Sequence, residues 1–186
     1  VETAPANTRS DARTNRARLL AAATSVLERD GHDATLSSIA EEAGVGIGTL
    51  YRHFPNRGRL VEAVYRNRVV ELCEAAPTLL AGNASARDAL HIWAGRFGAM
   101  LVANRDVPAS LQPALSSDSE FREESSSLLT AAVQDLLDAG ISRGEIRSDV
   151  APIDILRMVT GFSYVATSVD DITRPLDIMV DGLRPS

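Results

Sequence analysis

Apolar residues recur along this chain at three- and four-residue intervals, and strand-like alternation never extends beyond a few positions. Leu19, Leu20, Ala23, Val26 and Leu27 mark one face of a helix predicted over residues 12–29 and stopped by Gly31. Leu36, Ile39, Ala40 and Ala43 repeat the pattern over one short helix, with Thr35 placed to cap its start. Gly44 falls where that helix should end, because glycine can take the left-handed conformation of a C-terminal cap. A third short helix is predicted over about 47–53, with Leu50 and Phe54 facing inward. Pro55 cannot continue it, and Asn56 is a suitable cap for a fourth helix over about 57–75.

Leu90, Trp93, Ala94, Phe97 and Leu101 predict a helix over about 85–103. The next stretch, RDVPASLQPALSSDS, carries two prolines and many serines and reads as a short helix within loops. Leu128, Leu129, Ala132, Val133, Leu136 and Leu137 give a broad apolar face to a helix over 119–139. Ile155, Leu156, Val159, Phe162 and Ala166 do the same over about 152–168, and RPLDIMVDGL gives a short last helix. The expected fold class is therefore all-α, with a compact N-terminal unit of three helices over residues 1–66 and a larger helical domain over 67–186.

Charge divides the chain at the same place. Residues 1–68 hold ten arginines against eight acids, a net of +2, whereas residues 69–186 hold nine against seventeen, a net of −8. A basic first third on an acidic remainder implies two tasks in one chain. All nineteen basic residues are arginine, whose planar fork suits phosphate oxygens and guanine edges. Arg9, Arg13, Arg16 and Arg18 read as a basic N-terminal arm that steers phosphates in a salt-sensitive way. No window approaches the roughly 18 apolar residues of a membrane span, and residues 1–18 have no apolar signal-peptide core. The lone Cys73 leaves no internal disulfide to form, reads as a small buried hydrophobe, and fits a reducing, cytoplasmic setting.

Enzymatic and metal chemistry find no support in the residue pattern. His32, His53, His91 and Cys73 have no ligand spacing, and the serine-rich stretches lack a nucleophile elbow or a nearby histidine. The expectation is a non-enzyme without metal or cofactor.

The chemistry concentrates in EEAGVGIGTLYRHFPNRGRL, residues 41–60. A phosphate-binding Walker loop would need a preceding strand and a lysine, and neither is present. The remaining reading is helix, tight turn, helix: Gly44 permits the turn and Val45 plugs it into the core. Gly46 and Gly48 keep the start of the second helix free of bulk, so that it can approach another surface closely. Thr49, Tyr51, Arg52 and His53 project from that helix, and all can hydrogen-bond to phosphates or base edges. This pattern is a helix-turn-helix, and the surface it fits is a DNA major groove.

With those residues in view, DATLSSIAEEAGVGIGTLYRHFPNRGRLVEAV resembles the DNA-binding segment of the TetR family of bacterial transcriptional regulators, over roughly residues 14–66. The features that carry the likeness are Thr35, Ile39-Ala40, Ala43-Gly44-Val45, Gly48-Thr49-Leu50-Tyr51, His53-Phe54 and Arg57. The resemblance implies that Thr49, Tyr51 and His53 face DNA, that Arg57 holds a backbone phosphate, and that Thr35 and Ser37 face the same duplex. Four positions depart from the family's usual residues. Gly46 replaces a capping serine, Ser37 stands where arginine is common, and Gly58 stands where an acid is common. Ile47 replaces a polar reader and could instead meet a thymine methyl.

Beyond residue 70 the resemblance implies only architecture: a helical domain that forms a homodimer and encloses a small, hydrophobic or aromatic effector. The tail GEIRSDVAPIDILRMVTGF…RPLDIMVDGLRP is similar to C-terminal domains of such regulators. Trp93, Phe97 and Met100 share a helical face that suits plain core or a ligand pocket, and Phe121, Met158, Phe162 and Tyr164 are further pocket candidates. The apolar faces Leu128-Ala132-Leu136 and Ile155-Val159-Phe162 are expected to pair with their symmetry mates in a four-helix bundle. The implied function is a homodimeric repressor released from a palindromic double-stranded DNA operator by its effector, with no membrane partner. The alternative is a helical small-molecule-binding protein or enzyme that uses only the C-terminal domain.

Overall fold

The computed structural model describes residues 6–103 and 119–185. Among them are eight α-helices, one 3-10 turn and no strand. The described residues up to Asn67 form one compact unit and those from Arg68 onward form a second.

The first unit contains α1 (Ala6–Asp30), a 3-10 turn (Gly31–Asp33), α2 (Leu36–Glu42), α3 (Ile47–His53) and the start of α4 (Arg57–Gly82). Leu19, Ala23 and Val26 of α1 meet Ile39 and Ala40 of α2, Leu50 of α3 and Leu60 and Val64 of α4 in one core, which Phe54 closes. Helix α1 begins two turns earlier than its apolar stripe indicates, since residues 6–12 are mostly polar and leave no stripe to read. The expected basic arm is therefore helical where it is described.

The second unit contains the rest of α4, α5 (Ala86–Ala103), α6 (Ser119–Ser142), α7 (Pro152–Val165) and α8 (Asp170–Asp181). Helix α5 is central and packs on α6, α7 and α8. Its Leu90, Trp93, Ala94 and Phe97 meet Val133, Leu136 and Leu137 of α6, Ile155 and Val159 of α7, and Ile172 and Leu176 of α8. Each large side chain buried this way contributes roughly 1.5–3 kcal/mol. No described helix is long and apolar enough to cross a membrane.

Two prolines lie inside helices that were expected to stop or start at them. Helix α4 runs through Pro77 to Gly82 rather than ending near residue 75. Pro77 is exposed, while Leu72, Ala76 and Leu79 continue the buried face past it, so packing offsets the lost hydrogen bond. Helix α8 starts at Asp170, ahead of Pro175, because Ile172, Leu176, Met179 and Val180 form one buried stripe. Helix α7 ends at Val165 rather than 168, since the backbone N–H groups of Thr167 and Ser168 donate to the Asp171 carboxylate at 2.7 and 2.9 Å. The short helix expected within 105–119 lies outside the described residues.

Candidate nucleic-acid interface

The turn between α2 and α3 is built by backbone chemistry. Gly44 has φ 64°, its N–H donates to the Glu41 carbonyl at 2.9 Å, and the Val45 N–H reaches the Ala40 carbonyl at 3.0 Å. That is the left-handed helix ending expected of glycine. Val45 then packs against the core of the first unit. Gly46 caps α3 with no side-chain hydrogen bond; its carbonyl accepts from the N–H groups of Thr49 (2.8 Å) and Leu50 (3.3 Å).

Both ends of the motif are held by caps. Thr35 accepts from the Ser38 N–H at 3.0 Å, and the Ser38 hydroxyl accepts from the Thr35 N–H at 3.2 Å, a reciprocal capping box. The Thr35 hydroxyl also bonds the Ser38 hydroxyl at 3.0 Å, so its first role is to start α2. Ser38 is the partner that sequence reasoning missed, because a glutamate or glutamine is the usual signal at that spacing. The Asn56 side-chain amide oxygen Oδ1 accepts from the Arg59 N–H at 2.9 Å and starts α4, with Arg57 half-buried beside it.

Helix α3 turns Leu50 into the core and leaves the other side outward: Ile47 and Tyr51 are 42% and 49% exposed, and Gly48 and Arg52 are exposed too. Thr49 and His53 are half-buried, and the His53 ring lies 6.3 Å from that of Phe54. Arg52 folds back along its own helix: Nε donates to the Gly48 carbonyl at 3.2 Å and Nη2 to the Thr49 hydroxyl at 3.1 Å. A side chain at Gly46 or Gly48 would meet no atom of the protein within 4 Å, and neither glycine has a positive φ. Thr35, Ser37, Gly46, Ile47, Gly48, Thr49, Tyr51, Arg52, His53 and Arg57 thus occupy one helix-turn-helix and its two flanking helix starts.

Two arginines of α1 make contacts within the first unit. The Arg16 guanidinium stacks 4.8 Å above the Phe54 ring, a cation–π contact. Arg18 lies against Gly44. Both side chains stay exposed while touching the helix-turn-helix, contacts that spacing along the chain does not reveal. Arg29 bonds Asp30 and Glu42, each at 2.9 Å, and ties the end of α1 to that of α2.

In the second unit Trp93 is fully buried, its indole N–H donates to the Leu72 carbonyl at 3.0 Å, and its ring packs 5.6 Å from Phe97. Trp93 thus packs as core, one of the two roles expected of it. Phe97 is buried beside it; Met100, Met158 and Phe162 pack at the margin of the same cluster, and Phe121 is buried outside it. An open groove of about 810 Å³ runs along α6, lined among the described residues by Arg122, Ser126, Thr130 and Gln134.

The expected dimer faces are largely covered within the protomer. Leu136, Ile155 and Val159 have no exposed surface, Ala132 is buried, and Leu128 and Phe162 are half-buried. These residues pack largely within their own protomer, because α5 already covers that side of α6 and α7. Among the described residues of this unit, the large apolar side chains left exposed are Tyr164 (80%), Val165 (77%) and Ile178 (65%), with Ile92, Ile153 and Val169.

Burial, with Glu74 adjacent, pushes the Cys73 thiol up to about 11, so it is a neutral thiol near pH 7. Among the described residues no three histidine, cysteine or acidic groups come together as a metal site.

Two family models match the chain. One, described as bacterial regulatory proteins, tetR family, covers residues 19–64; the other, transcriptional regulator SbtR-like, C-terminal domain, covers residues 85–185. Among solved structures, the chain is similar to a TetR transcriptional regulator from Streptomyces coelicolor, with 40% identity, 92% of this chain and 99% of that one covered, and a TM-score of 0.79. It is similar to a TetR transcription regulatory protein from Mycobacterium vanbaalenii at 30% identity, with 96% and 99% covered and a TM-score of 0.73. It is also 25% identical over 134 residues, 69% of each chain, to the fatty acid metabolism regulator protein of Bacillus subtilis.

Proposed function

From the membership of this chain in the TetR family of bacterial regulatory proteins, we propose that it is a homodimeric repressor of transcription. It holds a palindromic operator through α3 and lets go when a small, apolar effector enters the second unit. Residues 1–66 serve as the DNA-binding domain and residues 67–186 as the effector-binding and dimerisation domain. The protein works in the cytoplasm, where bacterial DNA is, and carries out no catalysis.

The observation that supports the DNA-facing role of α3 most directly is the open space at Gly46 and Gly48. The fold itself tolerates side chains at both positions, yet the start of α3 presents bare backbone there, which a surface in close approach would favour. A major-groove wall meets that description, since the start of a recognition helix must approach it closely. Around those glycines, Thr49, Tyr51, Arg52 and His53 supply hydrogen-bonding groups, and Arg57 at the start of α4 supplies a charge for a phosphate.

Two recognition helices must sit about one DNA turn apart, near 34–36 Å or a multiple of it. The exposed apolar groups of α7 and α8 (Ile153, Tyr164, Val165 and Ile178) are the surface that a second copy covers. An effector that binds one dimer spacing better than the other then lowers operator affinity by that difference. Selection from a pool of random duplexes, followed by anisotropy titration, tests the reading. The expected result is an enriched palindrome bound at least about a thousandfold more tightly than random DNA. Binding that ignores sequence would defeat it.

A further inference from the structure

The contact between Arg52 and Thr49 bears on which base α3 prefers. Thr49 sits in the first turn of a seven-residue helix, so the residue four positions before it, Val45, precedes the helix. Further along the chain, Thr130 shows what usually becomes of such a hydroxyl: it donates to the Ser126 carbonyl four residues back, at 2.7 Å. Thr49 has no such bond among the described residues, and its hydroxyl oxygen accepts from Arg52 Nη2 instead.

A guanidinium only donates, so this bond occupies a lone pair of the Thr49 oxygen and leaves its O–H to be directed outward. The adjacent positive charge polarises that O–H and makes it a stronger donor. The same charge opposes the approach of a second donor to the remaining lone pair. Arg52 uses two of its five N–H groups on Gly48 and Thr49, which leaves others beside the threonine hydroxyl. Among the described residues no carboxylate pairs with Arg52. The pair therefore offers neighbouring donors on the exposed side of α3.

We propose that Arg52 is a positioning residue that fixes Thr49 as a hydrogen-bond donor, so that the Thr49–Arg52 pair selects guanine at one base pair of each half-site. Guanine presents two acceptors, O6 and N7, in the major groove. Adenine presents one acceptor beside an amino donor, thymine one acceptor beside a methyl, and cytosine an amino donor. Two adjacent donors are matched on both sides by guanine alone. The inference rests on the DNA-binding reading above and deepens it by naming the base chemistry.

The test is selection from random duplexes with the wild-type protein and with Thr49→Val, Arg52→Gln, Arg52→Lys and the Thr49→Val/Arg52→Gln double variant. The wild type should enrich guanine at one position per half-site by about five- to a hundredfold over the other bases. Thr49→Val and Arg52→Gln should each flatten the preference at that same position and leave the others intact. Their losses should overlap in the double variant rather than multiply. Arg52→Lys, which keeps a donor but loses the fork, should restore part of the preference. Variants that alter different base pairs, multiply independently or change no preference would overturn the inference while leaving an operator-binding regulator in place. A wild-type protein that enriches no sequence would overturn both.

Discussion

The Arg18 guanidinium lies so close over Gly44 that a Cβ on residue 44 would sit 2.8 Å from its Nη2. An arginine of α1 thus reaches the turn of the helix-turn-helix. Gly44 is bound to its identity chiefly by its φ of 64°, since the tip of an arginine can move aside. Gly44→Ala should cost about 1–2 kcal/mol, read as a lower midpoint in urea. The cost should persist in an Arg18→Ala background. Its disappearance there would mean that the collision, not the backbone, sets it.

Gly48 is the opposite case, with an ordinary φ and open space around it. Gly48→Ala should leave stability unchanged or raise it by up to about 1 kcal/mol, as alanine favours a helix over glycine, read as an equal or higher melting temperature. Operator affinity should fall at least tenfold, as the new methyl meets the groove wall. Unchanged affinity would show that α3 does not approach DNA at this point.

Arg57 stands at the first position of α4, beside the Asn56 cap. Arg57→Ala should weaken binding to every duplex alike and reduce the salt slope by about one. Thr49→Val should instead weaken the operator more than random DNA. Equal effects of both variants on both kinds of duplex would contradict this division of roles.

Tyr164→Arg and Ile178→Glu change side chains that the protomer leaves exposed. Each should convert a dimer to a folded monomer, with helical circular dichroism retained and mass halved in light scattering. Leu136→Asp should instead unfold the second unit, because it places an unpaired charge where no surface is exposed. A folded dimer in both exposed-site variants would place the interface elsewhere.

The turn between α7 and α8 should respond to acid. Hydrogen bonds from the Thr167 hydroxyl and from the Thr167 and Ser168 N–H groups hold the Asp171 carboxyl below the usual aspartate range. A depressed value means that this contribution is full above the unfolded pKa and is lost as pH falls through the folded one. Asp171→Asn should lower stability at pH 7 and remove that part of the acid-side decline. Parallel stability curves for the two proteins below pH 4 would refute the link.

Much of the first unit was legible in the order of residues. Ile39, Ala40, Leu50 and Phe54 repeat at helical spacing, Gly44 marks a turn only glycine takes easily, and Asn56 caps the helix that Pro55 forces to restart. These are local rules, satisfied within a few residues, and the structure satisfies them in place. The contacts of Arg16 and Arg18 were not legible, because Phe54 and Gly44 are far along the chain. Spacing along α1 carries no information about what comes to lie beside it.

The sequence by itself determined the helices, the turn and the outward chemistry of α3, since periodicity and backbone geometry act over four residues. Only the tertiary structure decided what covers each apolar face. Ile155, Val159 and Leu136 looked like a surface awaiting a partner, but α5 buries them within the protomer, and Trp93 becomes core by donating to Leu72. The exposed groups fall instead at Tyr164, Val165 and Ile178. A hydrophobic stripe states that a face must leave water. Whether an internal helix or a second chain removes it depends on contacts made across the chain, and no local pattern encodes that choice.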